Sequence, residues 1–192
     1  MKFEVNLPEW AIRENENLPD CLPSLESRME TVIRFAELNF QHDTGGPFAA
    51  GIFEAETGKV VVVGVNRVVP TNVSSAHAEI VTISLAQKLL GTFDLGGPGM
   101  AKYQLVVNGR PCAMCFGSIP WSGVRCVVTG ASGEQIESIA KFDEGPIHPQ
   151  WQFELRRRGI EVIEHVLADR ACDVFQKFAS SGQPVYNGRL GD

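Results

Sequence analysis

The stretch YQLVVNGRPCAMC, residues 103–115, passes from an apolar, β-rich run directly into a segment with one proline and two cysteines. We predict a strand from Tyr103 to Val107 and a helix that begins at PCAMC, where Pro111 has no N–H to leave unpaired. Cys112 and Cys115 are three residues apart and therefore lie on one face of that helix. The electropositive helix N-terminus lowers the pKa of a thiol and favours the thiolate form that binds metal ions.

A second motif, His77-Ala78-Glu79, stands near the start of another predicted helix. That helix is expected to begin near Ser74–Ala76 and to run to Leu90. One imidazole and two thiolates supply three ligands for Zn²⁺ and leave the fourth position open to water, as in catalytic rather than structural zinc sites. The carboxylate two residues after the imidazole can then carry protons for that water.

Each motif by itself has a simpler interpretation. A His at a helix start is usually a surface residue, and a lone CxxC motif also occurs as a redox pair or as two buried thiols. A redox pair requires no upstream His-x-Glu. A structural zinc module has no use for an open coordination position and a proton carrier. The two motifs together therefore favour a catalytic zinc site.

Elsewhere the chain alternates between helical and strand-like segments. Apolar spacing predicts a first helix at Ser24–Gln41, and β-rich runs on either side of a Glu56-Thr57-Gly58 turn predict a hairpin. The second run, Lys59 to Val65, contains four consecutive valines and is apolar on both faces, so we place it inside the sheet. Further strands are predicted at 124–129 and 160–166, and further helices at 132–142, 150–158 and 169–178. Because strands that alternate with helices pair in parallel, we expect an α/β fold with three α/β/α layers around a five-stranded mixed sheet.

Composition narrows the function classes. The chain has 192 residues, 44% of them hydrophobic and 21% charged, which is ordinary for a globular protein. A net charge of −6 argues against a phosphate-backbone or anionic-membrane partner. Five cysteines, an odd number, do not make a disulfide framework, and the longest apolar run, residues 60–65, is too short to span a bilayer. We expect a reduced, cytoplasmic protein.

The motifs together resemble the cytidine deaminase superfamily of zinc-dependent base deaminases, and within it bacterial guanine deaminases. The resemblance covers most of the chain from about Arg28 onward. It rests on these segments: Gly45-Gly46-Pro47-Phe48-Ala49-Ala50, Gly64-Val65-Asn66, residues 76–80, residues 111–119, and the acidic loop Phe142-Asp143-Glu144.

The resemblance implies a reaction and roles for the site residues. Zn²⁺ would be held by His77, Cys112 and Cys115, and Glu79 would move protons while water attacks C2 of guanine, yielding xanthine and ammonia. Glu144 would be a second catalytic acid. The remaining residues implied to contact the substrate, apart from His77 itself, are Phe48, Asn66, Ala78, Asp143 and Tyr186.

Several of these roles have alternatives in the sequence itself. Asn66 follows a strand and has both a donor and an acceptor to read a purine edge, but it also suits a turn. Phe48 would stack on the base, or else belong to the core. A loop acid such as Glu144 is commonly just solvated, and the neighbouring Asp143 is the other residue that could face the site.

The resemblance also implies a division of the chain and an assembly. We assign residues 1–23 to an N-terminal extension without chemistry, 24–179 to the zinc-dependent deaminase domain, and 180–192 to a tail that covers the active site. The resemblance implies a homodimer, with swapped C-terminal segments as one arrangement.

Other functions share the zinc motifs. The substrate could be another small amino-heterocycle, such as an ammeline-like triazine, cytosine or adenine. A tRNA adenosine deaminase would need a basic strip around the site. The only dense basic run is Arg156-Arg157-Arg158, at a predicted helix C-terminus, where cations favour the helix dipole anyway. A free nucleobase is therefore the favoured substrate class.

Overall fold

The computed structural model describes residues 4–188 and contains a five-stranded sheet in the order β2-β1-β3-β4-β5. The strands are β1 at Ala49–Glu54, β2 at Val60–Val65, β3 at Tyr103–Gly109, β4 at Cys126–Ala131 and β5 at Glu161–Ile163. The strand β1 pairs antiparallel with both β2 and β3, whereas β3, β4 and β5 are parallel. The mixed five-stranded sheet and its hairpin are confirmed.

Helices cover both faces of the sheet, so the three-layer α/β/α architecture is confirmed as well. They are α1 at Glu9–Glu16, α2 at Leu25–Gln41, α3 at Val68–Thr71, α4 at Ala78–Leu90, α5 at Ala113–Ser122, α6 at Gly133–Ala140, α7 at Trp151–Arg156 and α8 at Ala168–Ser180. Side chains of α1, α2, α6 and α8 form one core, which includes Val106 and Val128 of the sheet. Side chains of α4, α5 and α7 form the second core, which includes Leu105 and Val127. Successive residues of a strand point to opposite faces, and both faces are buried.

The position of β2 differs from the prediction. We expected its apolar run to lie inside the sheet, but β2 is an edge strand. Apolar residues occur on both of its faces because helices cover both: α2 and α1 contact one side and α4 the other. Burial of the faces and hydrogen-bonding position in the sheet are separate properties, and the apolar pattern reports only the first.

The N-terminal segment covers the exposed edge of β2. The side chain of Asn15 in α1 accepts a hydrogen bond from Val63 N (2.8 Å) and donates one to Val63 O (2.8 Å), as a neighbouring strand would. Val60 N also donates to Asp20 O, and Leu22 N donates to Gly58 O. An uncovered edge would offer unpaired backbone groups to other chains. The segment that we had assigned no chemistry thus completes the sheet.

Strand direction brings the two predicted motifs to the same edge of the sheet. Since β1 runs antiparallel to both of its neighbours, β2 and β3 are parallel to each other and end on the same side. The helix α4 follows β2, and α5 follows β3. The helix α4 begins at Ala78, later than the predicted Ser74–Ala76, because Ala76 is hydrogen-bonded to Val73 and Arg67 in the connecting segment and His77 is extended. Both helix starts therefore lie at the carboxyl ends of strands, where ligands bind in open α/β sheets.

Within 4–188, none of the helices combines the length and the apolar character needed to cross a bilayer.

Replacing Asn15 with Ala tests the role of the N-terminal segment. The variant loses the side-chain hydrogen bonds to Val63, so we expect unfolding to become easier by about 1–2 kcal/mol. For a chain of this length that corresponds to a melting temperature lower by roughly 2–8 °C in a calorimetric or circular-dichroism melt. Asn17→Ala is the control, since its exposed amide donates only to Arg13 O within the same segment. An equal loss in both variants would contradict the strand-like role of Asn15.

Candidate active site

The three predicted metal ligands come together at the starts of α4 and α5. The potential ligand atoms of His77, Cys112 and Cys115 all lie within 4.8 Å of one another, and His77 Nδ1 is 3.5 Å from Cys112 Sγ. Ligands of a tetrahedral zinc ion with bonds of about 2.0–2.3 Å lie about 3.5–4 Å apart, so the spacing and the donor set both suit zinc. Both cysteines are buried. His77, Cys112 and Cys115 therefore fit a zinc site.

Local helix geometry explains why these residues meet. His77 is the N-cap of α4 and Cys112 is the N-cap of α5, each with extended backbone dihedrals. An N-cap side chain projects from the end of the helix rather than from its side. Cys115, one turn into α5, lies on the same face as Cys112. The helix α4 is held against the sheet by Thr82, whose hydroxyl hydrogen-bonds to Ala50 O (3.2 Å) and Ala78 O (2.6 Å).

The environment of Cys112 favours the thiolate that a metal site requires. Its pKa is lowered to about 4, mainly because the Cys115 thiol donates to it and because His77 adds a further hydrogen bond and positive charge. These effects outweigh burial, which acts in the opposite direction.

Glu79 is a buried carboxyl beside the ligand set. It lies in the first turn of α4 and is 5% exposed. Burial, followed by the negative charge of Cys112, raises the pKa of Glu79 to about 7. A bound dication would favour the carboxylate form, which is the form that accepts a proton. A carboxyl whose pKa lies near neutrality can both accept and return protons near neutral pH.

One cavity of about 320 Å³ contains this carboxyl and nearly all of the predicted site residues. Its lining consists of Phe48, Asn66, Val68, Ser74, His77, Ala78, Glu79, Cys112, Phe142, Asp143, Glu144, Tyr186, Asn187 and Gly188. Every residue that we predicted to bind the substrate, to carry protons or to bind the metal lines this cavity, except Cys115, which is buried. The volume is at the small end of the roughly 300–1,000 Å³ typical of small-molecule sites.

The carboxamide of Asn66 has a defined orientation. Its Oδ1 accepts from Gly46 N (3.4 Å) and Val68 N (3.2 Å), so its Nδ2 points the other way. That Nδ2 is buried and has no hydrogen-bond partner among the described residues. Since an unpaired buried donor costs free energy, the amide is set to donate to an acceptor on a ligand. The turn role, which the sequence left open, is observed, and contact of the same side chain with a purine edge stays a prediction.

The acidic loop buries Glu144 at the cavity and leaves Asp143, which also lines the cavity, exposed to solvent. Glu144 is 5% exposed, and burial, followed by the charges of Cys112 and Glu79, raises its pKa to about 8. Asp143 is exposed, and its carboxylate accepts a hydrogen bond from Gly145 N (2.8 Å). Ala113 N at the start of α5 donates to the Glu144 carbonyl (2.9 Å), which ties this loop to the metal-binding helix. The geometry therefore favours Glu144 as the acid that faces the site.

Phe48 belongs to an aromatic cluster at one wall of the cavity. Its ring lies 4.9 Å from that of Phe142 and 5.2 Å from that of Phe175. It is half-buried, so part of the ring packs in the core and part lines the cavity. The core role considered for it from the sequence is observed, and stacking on the base stays a prediction.

The C-terminal tail crosses the cavity of its own chain. The Tyr186 ring lies 4.9 Å from Phe142 and 6.3 Å from His77. Asn187 accepts from Asp143 N (2.9 Å) and donates to Lys141 O (2.9 Å). Tyr186 packs so closely on Gly46 that a Cβ there would lie 2.6 Å from the ring. The part of the predicted tail at residues 189–192 lies outside the described residues.

Five lining residues were not predicted as site residues. Phe142 stands in the quoted acidic loop, and Asn187 and Gly188 follow Tyr186, so their neighbours in sequence were the available signal. Val68 and Ser74 lie in and after α3, a helix that the sequence did not predict. No pattern in the sequence identified those two.

Comparison with known proteins agrees with this geometry. The family model of the cytidine and deoxycytidylate deaminase zinc-binding region matches residues 23–131. The chain is 30% identical to the guanine deaminase of Bacillus subtilis over 65% of its own length and 75% of that protein's. It is 33% identical to a probable cytosine deaminase of Schizosaccharomyces pombe, over 71% and 82% of the respective lengths.

A solved structure of the guanine deaminase from Nitrosomonas europaea is 41% identical. It superposes with a TM-score of 0.89 over 93% of this chain and 97% of that one. Matched structures at the same identity hold 8-azaguanine or 2,6-diaminopurine. With its His-Cys-Cys ligand set at two helix starts, the chain belongs to the cytidine and deoxycytidylate deaminase family and is a zinc-dependent aminohydrolase.

Proposed function

We propose that this enzyme deaminates guanine, consuming one water and releasing xanthine and ammonia. The observation that carries the proposal is the 41% identity, over nearly the whole chain, to a guanine deaminase structure. The cavity adds support because it joins two buried carboxyls, Glu79 and Glu144, to the donor of Asn66.

Zinc held by His77, Cys112 and Cys115 supplies the Lewis acidity that makes water nucleophilic near neutral pH. Glu79 accepts a proton from the attacking water and passes it to the adjacent ring nitrogen of the base. It then takes the second proton, from the hydroxyl now on C2, and delivers it to the amino group, so that the C2–N bond breaks, ammonia leaves and the carbonyl of xanthine forms. The burial of Glu79 keeps bulk water from competing for these protons.

The other cavity residues bind and orient the base. Asn66 Nδ2 donates to a carbonyl oxygen or ring nitrogen of guanine, and the N–H of Ala78, at the start of α4, has no partner within the helix and is a second donor. Burial raises the pKa of Glu144 to about 8, so it can exchange a proton with the base from the side of the acidic loop. Phe48 and the His77 imidazole supply flat surfaces on which the purine stacks.

We further propose the domain division 24–179, with residues 180–192 as a cover for the site. Homodimer formation is supported by exposed apolar side chains on and near α4 and α5. The most exposed are Trp121 at 87%, Phe93 at 84% and Leu89 at 65%. Such a surface suits a self-complementary interface, in which tails either remain on their own chain or exchange. The thiols of the zinc site and the free cysteines support a reducing, cytoplasmic environment.

Another free amino-heterocycle is the second candidate substrate class. The similarity to a probable cytosine deaminase supports it, and the same zinc and Glu79 chemistry would serve. A tRNA substrate has less support. The net charge of −6 disfavours a phosphate backbone, and the likeness to a tRNA:A34 deaminase structure, at 23% identity, extends to the fold alone.

Substrate identity is tested with a panel assayed by ammonia release. We expect the zinc-loaded protein to release ammonia from guanine faster than from cytosine, adenine or ammeline. Formation of xanthine, followed by its absorbance, should match the ammonia in amount. Turnover confined to another base, or editing of tRNA without turnover of free bases, would show that the proposed substrate is wrong.

Metal content is tested with a matched pair of cysteine variants. Cys112→Ala should lose zinc, measured by elemental mass spectrometry on dialysed protein, because two protein ligands hold the ion far more weakly than three. Cys126→Ala removes another buried thiol, in β4, and should keep one zinc per chain. Equal zinc content in the two variants would place the metal elsewhere.

The two buried carboxyls are tested by neutral substitutions. We expect Glu79→Gln to keep zinc and to lose about 10²–10⁴-fold in kcat, since the proton carrier is removed. Glu144→Gln should lower kcat/KM on guanine more than Asp143→Asn does, because Asp143 is exposed and hydrogen-bonded within its own turn. The assignment of Glu144 fails if Asp143→Asn is the more damaging change.

A further inference from the structure

The turn that carries Gly45 and Gly46 is held by one buried amide, Asn39. This residue of α2 is 0% exposed. Its Nδ2 donates to Gly46 O (2.8 Å) and to Asn66 O (2.9 Å), so both of its N–H groups are used. The turn lies so close to Asn66 that a Cβ at Gly45 would come within 2.0 Å of the Asn66 carbonyl oxygen. Asn39 therefore fixes Asn66 relative to the turn.

The turn at Gly45 and Gly46 also helps to orient the carboxamide of Asn66. Gly46 N donates to Asn66 Oδ1 (3.4 Å) and, together with Val68 N (3.2 Å), determines which way the amide of Asn66 faces. Asn39 donates to the carbonyl oxygen of the same glycine and so holds the turn from which this N–H projects. A displacement of the Asn39 side chain would therefore release the Asn66 backbone and loosen one of the two hydrogen bonds that orient its carboxamide.

Asn39 is in turn oriented from the N-terminal segment. The hydroxyl of Thr44 lies 2.9 Å from Asn39 Oδ1 and 3.0 Å from Asn39 O, and it accepts a hydrogen bond from the indole Nε1 of Trp10 (2.9 Å). Trp10 is fixed by its stack on His42, with ring centroids 5.5 Å apart. Arg67 adds a second link between the turn and the N-terminal segment, because it donates to Thr44 O and to Asn6 O.

We propose that Trp10, Thr44 and Asn39 form a positioning relay that aims the free N–H of Asn66 at the substrate. The N-terminal segment is then a part of the substrate-binding machinery as well as the cover of the sheet edge. The proposal rests on the proposed function, because it takes Asn66 as a contact to the base. None of the three relay residues touches the substrate; they act through Asn66.

Variants of Thr44 separate the effect of its hydroxyl from the effect of its side-chain shape. Thr44→Val keeps the shape of the side chain and removes the hydroxyl, which leaves Asn39 Oδ1 and the indole N–H unpaired. Thr44→Ser restores the hydroxyl. Trp10→Phe removes the indole N–H together with one ring of the indole, and keeps an aromatic ring beside His42. Asn15→Ala, on the same segment but bonded to β2, is the control for a general loss of stability.

The first measurement follows the side-chain amide resonances of Asn66 in the zinc-loaded protein without substrate, assigned by comparison with Asn66→Ala. We expect these resonances to shift or broaden in Thr44→Val and in Trp10→Phe and to remain at their original positions in Thr44→Ser and Asn15→Ala. Unchanged Asn66 resonances in Thr44→Val overturn the relay. This measurement does not depend on which base is the substrate.

The second measurement is a double-mutant cycle on guanine turnover. We expect Thr44→Val to lower kcat/KM about tenfold and Thr44→Ser to retain it, because small displacements of a positioning group cost rate. In an Asn66→Ala background, Thr44→Val should cause no further loss, since the two changes act through one group. Fully additive losses would show a general structural effect and overturn the proposal. If the wild-type protein releases no ammonia from guanine, the proposed function fails, and the Asn66 resonances decide the relay alone.

Discussion

The site depends on one constraint: the helices α4 and α5 begin at the same edge of the sheet. Because β1 is antiparallel to both of its neighbours, β2 and β3 end at the same edge of the sheet, with β1 between them. The N-cap positions of the two helices then fall close enough for an imidazole and two thiolates to share a metal ion. Neither helix alone carries enough ligands for a zinc site. The hairpin topology is thus a condition of the chemistry.

Burial then gives the carboxyls their properties. Glu79 and Glu144 lie in one small cavity with a thiolate, and both have pKa values well above those of exposed carboxyls. Two buried acids with pKa values near neutrality can both accept and release protons at neutral pH, whereas exposed carboxylates stay ionised. The acidic loop is kept in place by its hydrogen bond to α5, so the metal ligands and the second acid are parts of one unit.

Much of the site could be predicted because its signals are local. The spacing of Cys112 and Cys115, and of His77 and Glu79, is set by helix geometry that the sequence carries within a few residues. The choice between Asp143 and Glu144 could not be made in this way, since adjacent loop residues point in different directions only after the loop packs on α5. The prediction that β2 lies inside the sheet was wrong because strand position also depends on contacts that are distant in sequence. Its apolar faces are covered by helices, and its open edge is covered by Asn15 from a segment 48 residues away along the chain.

The sequence by itself determined the superfamily and the alternation of strands and helices, and it predicted the zinc ligands and the proton carrier, because each depends on residue types at short spacing. Tertiary structure alone decided that Asn66 presents a free donor, that Glu144 rather than Asp143 is buried, and that the N-terminal segment completes the sheet. These features depend on contacts between residues far apart in the chain, such as Asn39 with Asn66 or Asp143 with Asn187. Whether a buried polar group finds a hydrogen-bond partner depends on how the whole chain packs, and no local sequence pattern encodes it.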